Sequence, residues 1–336
     1  MATHAYRVQR TTRASRVGLG VAILALPALI TLPAWGDPAS MRRLVEFIAL
    51  LVLAHMWNLL AGYAGLLSIG QQAYVGLGGY ALIVLADDLG VDPFLSVPLA
   101  GLIAMAIALP TAALVFRFQG GYFAVGTWAV AEVFRLLVAN TGALGRGTGR
   151  TLKAVFPLAR ETRELVTYYI ALALAVAALV GIYVFLRARF GLGLMAVRDS
   201  EAASQTLGID VFRTKLIVYL LAAFGTGATG AVIYRNLRRI SPDAAFSINW
   251  TASTIFIVVI GGIGTLEGPL LGAVVFFVLR ELLADYGAWY MILLGALAVS
   301  VMLAYPQGLW GLIAERWDVH VFPVQRRLRI DDASRP

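Results

Sequence analysis

Five stretches of this chain contain no Asp, Glu, Lys or Arg: Phe47 to Ala86, Pro93 to Phe116, Leu165 to Leu186, Ala244 to Leu266, and Tyr286 to Ala314. Each is at least as long as the roughly 20 residues a helix needs to cross about 30 Å of hydrocarbon. A buried helix of a soluble protein rarely runs so far without a charge. Backbone amides in lipid must bond within their own segment, and these runs are too uniformly apolar for the alternating strands of a barrel. The fold class that follows is all-α, a polytopic transmembrane bundle of about eight to ten spans. Composition agrees: 14% of the residues are charged, where a soluble domain carries about 25%.

By window length the candidate spans are 17–35, 44–61, 70–86, 94–116, 121–140, 166–186, 214–235, 250–263, 268–284 and 287–305. Arg7, Arg10, Arg13 and Arg16 precede the first. That pattern imitates a signal peptide, but no small-residue cleavage site stands before Trp35, so 17–35 is read as a retained span. The chain divides into a basic N-terminal tail (1–16), a membrane domain (17–313) and a C-terminal tail (314–336). An even number of crossings places both tails in the cytoplasm with Arg316, Arg326, Arg327 and Arg329, as the positive-inside rule prefers. Residues 187–213 then also lie inside. Two basic segments oppose this parity: 141–165, with Arg146, Arg150, Lys153, Arg160 and Arg163, and 235–249, with Arg235, Arg238 and Arg239.

Several chemistries are excluded. The chain has no cysteine, hence no disulfide and no thiolate metal site. Its histidines, His4, His55 and His320, have no paired-ligand spacing, so no metal site is expected. Neither lysine, Lys153 or Lys215, follows a glycine, so the phosphate-cradling Gly-Lys-Ser/Thr motif is missing. No Gly-x-Ser-x-Gly elbow occurs, and no catalytic residue is assigned. The net charge of +8 is scattered among spans rather than gathered into a stripe, so lipid rather than nucleic acid is the expected surroundings.

Residues 195–210 fall between two spans. As one helix they would place Val197, Ala202, Ala203, Thr206 and Leu207 on one face and turn Arg198, Glu201, Ser204 and Gln205 away, with Gly208 as the stop. So short a helix needs a surface to lie on. Lipid headgroups are one choice, but the face is alanine-rich and without Trp or Phe, which suits a protein groove better. Gly264, Gly268 and Gly272 recur every four residues, as on one face of a closely packed helix. Pro269 suits a first turn, so a helix restarts near Gly268 after a break at 261–267, with Glu267 favourable at its start. Packing is the simpler role for these glycines. Glu132 and Arg135 can pair across one turn, either lining a cavity or bracing the span. Asn58, Gln71 and Gln72 could line a path or bond neighbouring helices. Gly62-Tyr-Ala-Gly65-Leu-Leu67 is echoed by Gly261-Gly-Ile-Gly264-Thr-Leu266, by chance or by internal repetition.

The stretch Asn58-Leu-Leu-Ala-Gly62-Tyr-Ala-Gly65-Leu-Leu-Ser68-Ile-Gly70-Gln-Gln-Ala73 resembles the signature of the branched-chain amino acid ABC-transporter permeases, LivM type. So do Ile240-Ser-Pro242-Asp243, the run from Ile260 through Gly264, Gly268 and Pro269 to Gly272, and Tyr305-Pro306-Gln307-Gly308-Leu309. The segment 191–210 is similar to that family's cytoplasmic coupling segment. The resemblance covers about 44–313. It implies half of an importer pore, with a second permease chain (LivH-like and different from this one), two cytoplasmic ATPase subunits that bind ATP and Mg, and a periplasmic substrate-binding protein. On that likeness Arg198, Asp199, Glu201, Ala202, Leu207 and Gly208 belong to the ATPase-coupling helix. Asn58, Gly62, Gly65, Gln71, Gln72, Glu132, Arg135, Gly264, Glu267, Gly268 and Gly272 serve the pathway or its packing. The family's substrates include amides, urea and aromatic acids. Thr141-Gly-Ala-Leu-Gly145-Arg-Gly147-Thr-Gly149-Arg150 departs from the family's Thr-Gly-Gly-x-x-Gly stretch. A self-contained ion-coupled carrier is the competing expectation; Glu132 and Glu267 are its only plausible acids.

Overall fold

A computed structural model describes residues 6–9, 13–34, 36–154, 159–283, 289–317, 321–322 and 327–330. The expected all-α bundle is present. Seven helices are long and apolar enough to cross a membrane: Ala39–Tyr63, Ser96–Val115, Gly121–Asn140, Arg160–Arg187, Val211–Leu237, Pro242–Gly261 and Ile292–Trp317. The other three expected spans, 17–35, 70–86 and 268–284, fall on helices whose apolar part is shorter. A 17-residue helix such as Glu267–Leu283 reaches about 25 Å at about 1.5 Å per residue.

The helices are α1 (Arg13–Thr31), α2 (Pro38–Asn58), α3 (Gln72–Ile83), α4 (Ser96–Val115), α5 (Gly121–Asn140), α6 (Arg160–Arg187), α7 (Arg189–Asp199), α8 (Glu201–Thr206), α9 (Val211–Leu237), α10 (Pro242–Ala245), α11 (Ile248–Gly261), α12 (Glu267–Leu283), α13 (Trp289–Ala304) and α14 (Gly308–Trp317). Single π-helical turns extend α2 through Leu59–Tyr63 and α3 through Val84–Asp88. Let the end that holds α7 and α8 be the lower end. α2 starts at the upper end, where Arg42 meets Glu164 at the start of α6 and Glu46 meets Arg280 of α12. It finishes at the lower end, where the Gly62 carbonyl accepts from Arg198. Successive spans alternate between these ends. Strands β1 (Tyr6–Gln9) and β4 (Arg327–Ile330) pair antiparallel, so the two tails lie together.

Local chemistry sets the starts and the packing. Asp37 caps α2 by accepting from Ala39 N and Ser40 N, with Pro38 following, a strong initiation signal. Ala100, Ala104, Ala108 and Ala112 of α4 recur every four residues and are fully enclosed. They meet the glycine-rich middle of α9, where a Cβ on Gly227 would sit 2.4 Å from Ala104 Cβ. Gly230 packs as closely on α3: its Cβ would be 2.2 Å from the Val75 carbonyl oxygen. Lipid supplies no hydrophobic force between helices, so such backbone approach carries the packing. Consequently α2 and α9 form the enclosed centre, and α5, α6 and α13 the periphery.

The two basic segments that oppose the parity meet at the upper end. Residues 141–149 form short turns, and β2 (Arg150–Thr151) pairs with β3 (Arg239–Ile240). Arg150 grips Asp88 with two bonds of 2.7 and 2.6 Å, and Asp87 accepts from the Lys153 and Ala154 amides. Carboxylates at the end of α3 therefore hold the longer basic segment. The structure departs from one expected spacing: Gly264 does not share a helical face with Gly268 and Gly272. It sits in the turn before α12 with φ of +76°, a conformation glycine adopts without strain. Gly268 and Gly272 do face α11, and a Cβ on Gly272 would lie 1.9 Å from the Ile257 carbonyl oxygen.

Candidate functional site

α2 and α11 run in the same direction and each ends in a glycine turn at the lower end. These are the two echoed sequences, and they touch: a Cβ on Gly62 would lie 2.5 Å from Gly264 N. Asn58 fastens them, its Oδ1 accepting from Gly264 N at 2.8 Å and its Nδ2 donating to the Thr265 carbonyl at 2.7 Å. His55, one turn earlier, has Nε2 3.1 Å from the Leu266 carbonyl oxygen and Nδ1 2.8 Å from that of Leu51. Asn58 thus joins α2 to the turn that follows α11, inside the bundle.

α7 lies beneath this junction. Arg198 Nη1 donates to the Gly62 carbonyl at 2.9 Å, while Nε and Nη2 hold Asp199. That carbonyl belongs to the last turn of α2, where cations are favoured. The aliphatic part of Arg198 also covers Gly65 (φ +70°), where an added Cβ would be 3.4 Å from its Cγ. An added Cβ on Gly264 would be 3.6 Å from Arg198 Nη1. Arg198 therefore bonds the first glycine turn and lies beside the second.

The 195–210 segment differs from the single helix expected. Ser200, with φ of −160° and ψ of 111°, separates α7 from α8 and caps α8 by accepting from Ala203 N at 3.2 Å. The helical phase restarts there, so Val197 does not share a face with the residues of α8. Val197 is buried, but Ala202, Ala203, Thr206 and Leu207 are exposed, Leu207 by 76%, and Ser204 is the residue turned inward. Glu201 pairs with Lys215 at 2.5 Å, tying α8 to α9. Gly208 (φ +80°) ends α8, and Ile209 N bonds back to the Ser204 carbonyl, a Schellman-type stop.

The remaining sequence candidates lie elsewhere. Gln71 Oε1 accepts from Thr226 at 3.0 Å, and Gln72 bonds Thr251 through both its amide N–H and its side chain. Glu267 is buried at the start of α12 and accepts from Phe322 N at 2.6 Å. At the upper end Glu132 and Arg135 pair as expected, and Asp243 joins them, accepting from Arg135 at 2.6 Å. The reading of single residues missed Ser200, Lys215, Thr226, Thr251 and Asp243 as partners. Only the Ser200 cap has a local signal, a serine before an acidic first turn. Among the described residues no group of acids and histidines could hold a metal ion.

The junction joins helix ends to the half-buried α7 and the mostly exposed α8 and contains no reactive constellation, which suits mechanical transmission. The sequence profile described as "Branched-chain amino acid transport system / permease component" matches residues 41–302. The chain belongs to this family. It is a permease component of an ABC importer, a transport subunit in a multi-pass protein of the bacterial inner membrane that associates with other subunits. It is 29% identical to the high-affinity branched-chain amino acid transport system permease protein LivM of Salmonella typhimurium, over 81% of this chain and 76% of that one. LivM of Escherichia coli is 27% identical over the same shares. A probable branched-chain amino acid transport permease protein LivH of Methanocaldococcus jannaschii is 23% identical, over 73% of this chain and 83% of that one. No solved structure matches.

Proposed function

We propose that this permease forms half of a pore for branched-chain amino acids or related small solutes, delivered by a periplasmic binding protein. The other half is a second, LivH-like permease chain. Two cytoplasmic ATPase subunits, carrying the ATP and Mg, dock on the lower end. The lower end is then cytoplasmic, with both tails, and the upper end receives the binding protein. Residues 17–313 make up the permease domain and 191–210 its coupling segment.

The observation that carries this reading is the outward surface of α8. Ala202, Ala203 and Thr206 of a six-residue helix and Leu207, which caps it, are exposed together, and so short a helix does not persist alone. Small side chains around one leucine fit a groove on a protein. Closure of the ATPases would push α8, and Arg198 would pass the displacement to the Gly62 and Gly264 turns. The pore then changes access as a ligand-biased two-state switch. Family membership opposes the self-contained ion-coupled carrier.

The test replaces Glu201 with Lys and Ala202 with Arg in the assembled transporter. ATP hydrolysis should separate from uptake while the chain still inserts. Normal uptake and normal ATPase stimulation would refute the assignment. Retention of an ATPase subunit in mild detergent is the supporting result for wild type, and its loss should follow Leu207→Asp.

A further inference from the structure

Glu267 is enclosed, with 8% of its surface exposed. It opens α12 directly after the glycine turn that Asn58 and His55 hold through the carbonyls of Thr265 and Leu266. The start of a helix favours a negative charge, but an enclosed carboxylate also needs donors, because taking it out of water unbonded is costly. One donor comes from far along the chain. Phe322 N lies 2.6 Å from Glu267 Oε1 and donates to it.

Val321 and Phe322 of the C-terminal tail touch three helices at the lower end. Phe322 bonds α12 through its amide and sets its ring edge-on to Tyr183 of α6, with centroids 5.9 Å apart. Val321 packs on α1 where a glycine leaves room: a Cβ on Gly18 would lie 2.1 Å from Val321 Cγ1. Both tail residues are half-buried. At the upper end α1 and α6 are bonded directly, the Tyr168 and Tyr169 hydroxyls donating to the carbonyls of Leu29 and Ile30. The tail therefore straps this peripheral pair to the start of α12, beside the turn that the coupling route displaces. A contact made of one bond, one ring edge and one side chain on a glycine can open without unfolding a helix.

We propose that Val321 and Phe322 form an autoinhibitory strap, which holds the start of α12 against α1 and α6 in the resting transporter and releases when the ATPase subunits close. Glu267 is its anchor on the moving side, and Gly18 and Tyr183 are its anchors on the peripheral pair. Asn58 and His55 bond the Gly264 turn to α2, so the start of α12 follows that turn when α7 is pushed. The strap opposes this motion until closure of the ATPases favours the displaced state by more than the strap holds the resting one. This rests on the importer reading and adds to it a restraint on hydrolysis in the absence of solute.

The chain has no cysteine, and a Cβ on Gly18 would stand 3.3 Å from Val321 Cβ, near the Cβ–Cβ separation of about 3.8 Å in a disulfide. Gly18→Cys with Val321→Cys, in the complete transporter in vesicles, therefore locks the strap on oxidation. The locked transporter should lose ATP-driven leucine uptake and the stimulation of hydrolysis by the binding protein. Dithiothreitol should restore both, and neither single cysteine variant should respond to the oxidant. Freeing the strap is the opposite perturbation. Phe322→Ala, and separately Gly18→Leu, which evicts Val321 without altering the tail, should raise hydrolysis without binding protein about tenfold, the factor that one bond to a charged group supports. Their melting temperatures should stay near that of wild type. A lock that leaves uptake unchanged overturns the proposal, as does unchanged hydrolysis in the freed variants. Freed variants that lose melting temperature and hydrolysis together also overturn it, since the segment would then be a brace only. Wild-type uptake judges the importer reading separately. Normal wild-type uptake that the lock does not touch sinks the strap alone, and absence of ATP-driven uptake in wild type sinks the importer and the strap with it.

Discussion

Arg198→Ala is the sharpest perturbation of the proposed coupling route. It removes one bond from a charged donor to the Gly62 carbonyl, 2.9 Å long, and one ion pair to Asp199. Bonds to charged groups contribute about 1.5–3 kcal/mol when buried. The Arg198 side chain is 33% exposed, so solvent screening lowers this to about 1–2 kcal/mol. The pair with Asp199, itself 68% exposed, adds about 0–1 kcal/mol and is local to α7. The contact links α7 to the end of α2, so its loss falls on transmission more than on folding. About 1–2 kcal/mol of coupling corresponds to roughly a 5–30-fold fall in solute moved per ATP hydrolysed. The assay is ATP-driven uptake and phosphate release in the same vesicles, with a thermal melt as the folding control. Arg198→Lys should recover part of the loss, since an ammonium keeps the charge but not the fork that serves Gly62 and Asp199 together. Uptake per ATP within twofold of wild type would refute the route, as would a parallel collapse of melt, hydrolysis and uptake.

Gly272→Leu sets a side chain against backbone 1.9 Å away at Ile257; overpacking of this kind costs about 1–3 kcal/mol or more, to be seen as a lower melting temperature in detergent. Ser200→Ala removes the α8 cap, worth about 1 kcal/mol, and faster amide exchange across 201–206 is expected, with weaker ATPase retention. The Arg150 guanidinium beside Asp88 holds its carboxyl below the usual carboxylate range. A depressed folded value means the stabilisation is complete above about pH 4 and disappears as acid carries the solution through the lowered value. Proteolytic protection of 141–154 should follow that course, modestly because the pair is solvent-accessible, and Asp88→Asn should abolish the dependence.

The spans were legible because charge-free length is a one-dimensional property that a membrane enforces directly. The break before α12 was legible for a similar reason, since Pro269 and the preceding glycines act locally. The α4 stripe of Ala100, Ala104, Ala108 and Ala112 is equally periodic, but nothing local to it names the α9 glycines that it meets. What failed was phase. A single helix over 195–210 puts Val197 on the face of Ala202 and turns Ser204 away, but Ser200 resets the rotation, so Val197 and Ser204 are buried while Ala202 stays exposed. Gly264 failed likewise, because a four-residue spacing implies a face only where the backbone is helical. Long-range partners were beyond reach: Asn58 and Thr265 are separated by 207 positions, and nothing in either neighbourhood names the other.

The echo between Gly62-Tyr-Ala-Gly65-Leu-Leu67 and Gly261-Gly-Ile-Gly264-Thr-Leu266 acquires a physical meaning from its placement. Each follows a helix that descends to the lower end and precedes one that rises from it, as expected of repeats that run parallel. Chance similarity in a glycine-rich chain would not require the two turns to meet, yet Asn58 bonds one to the other. Glycine is needed there because a Cβ on Gly62 would lie 2.5 Å from Gly264 N, and Gly65 and Gly264 have positive φ. A displacement of α7 would therefore reach the Gly62 turn through Arg198 and the Gly264 turn through the Asn58 bonds. Helices α2 and α11 would move as one body. A cross-link between them at the lower end should thus leave transport intact, whereas one between α7 and α2 that fixes Arg198 on Gly62 should arrest it.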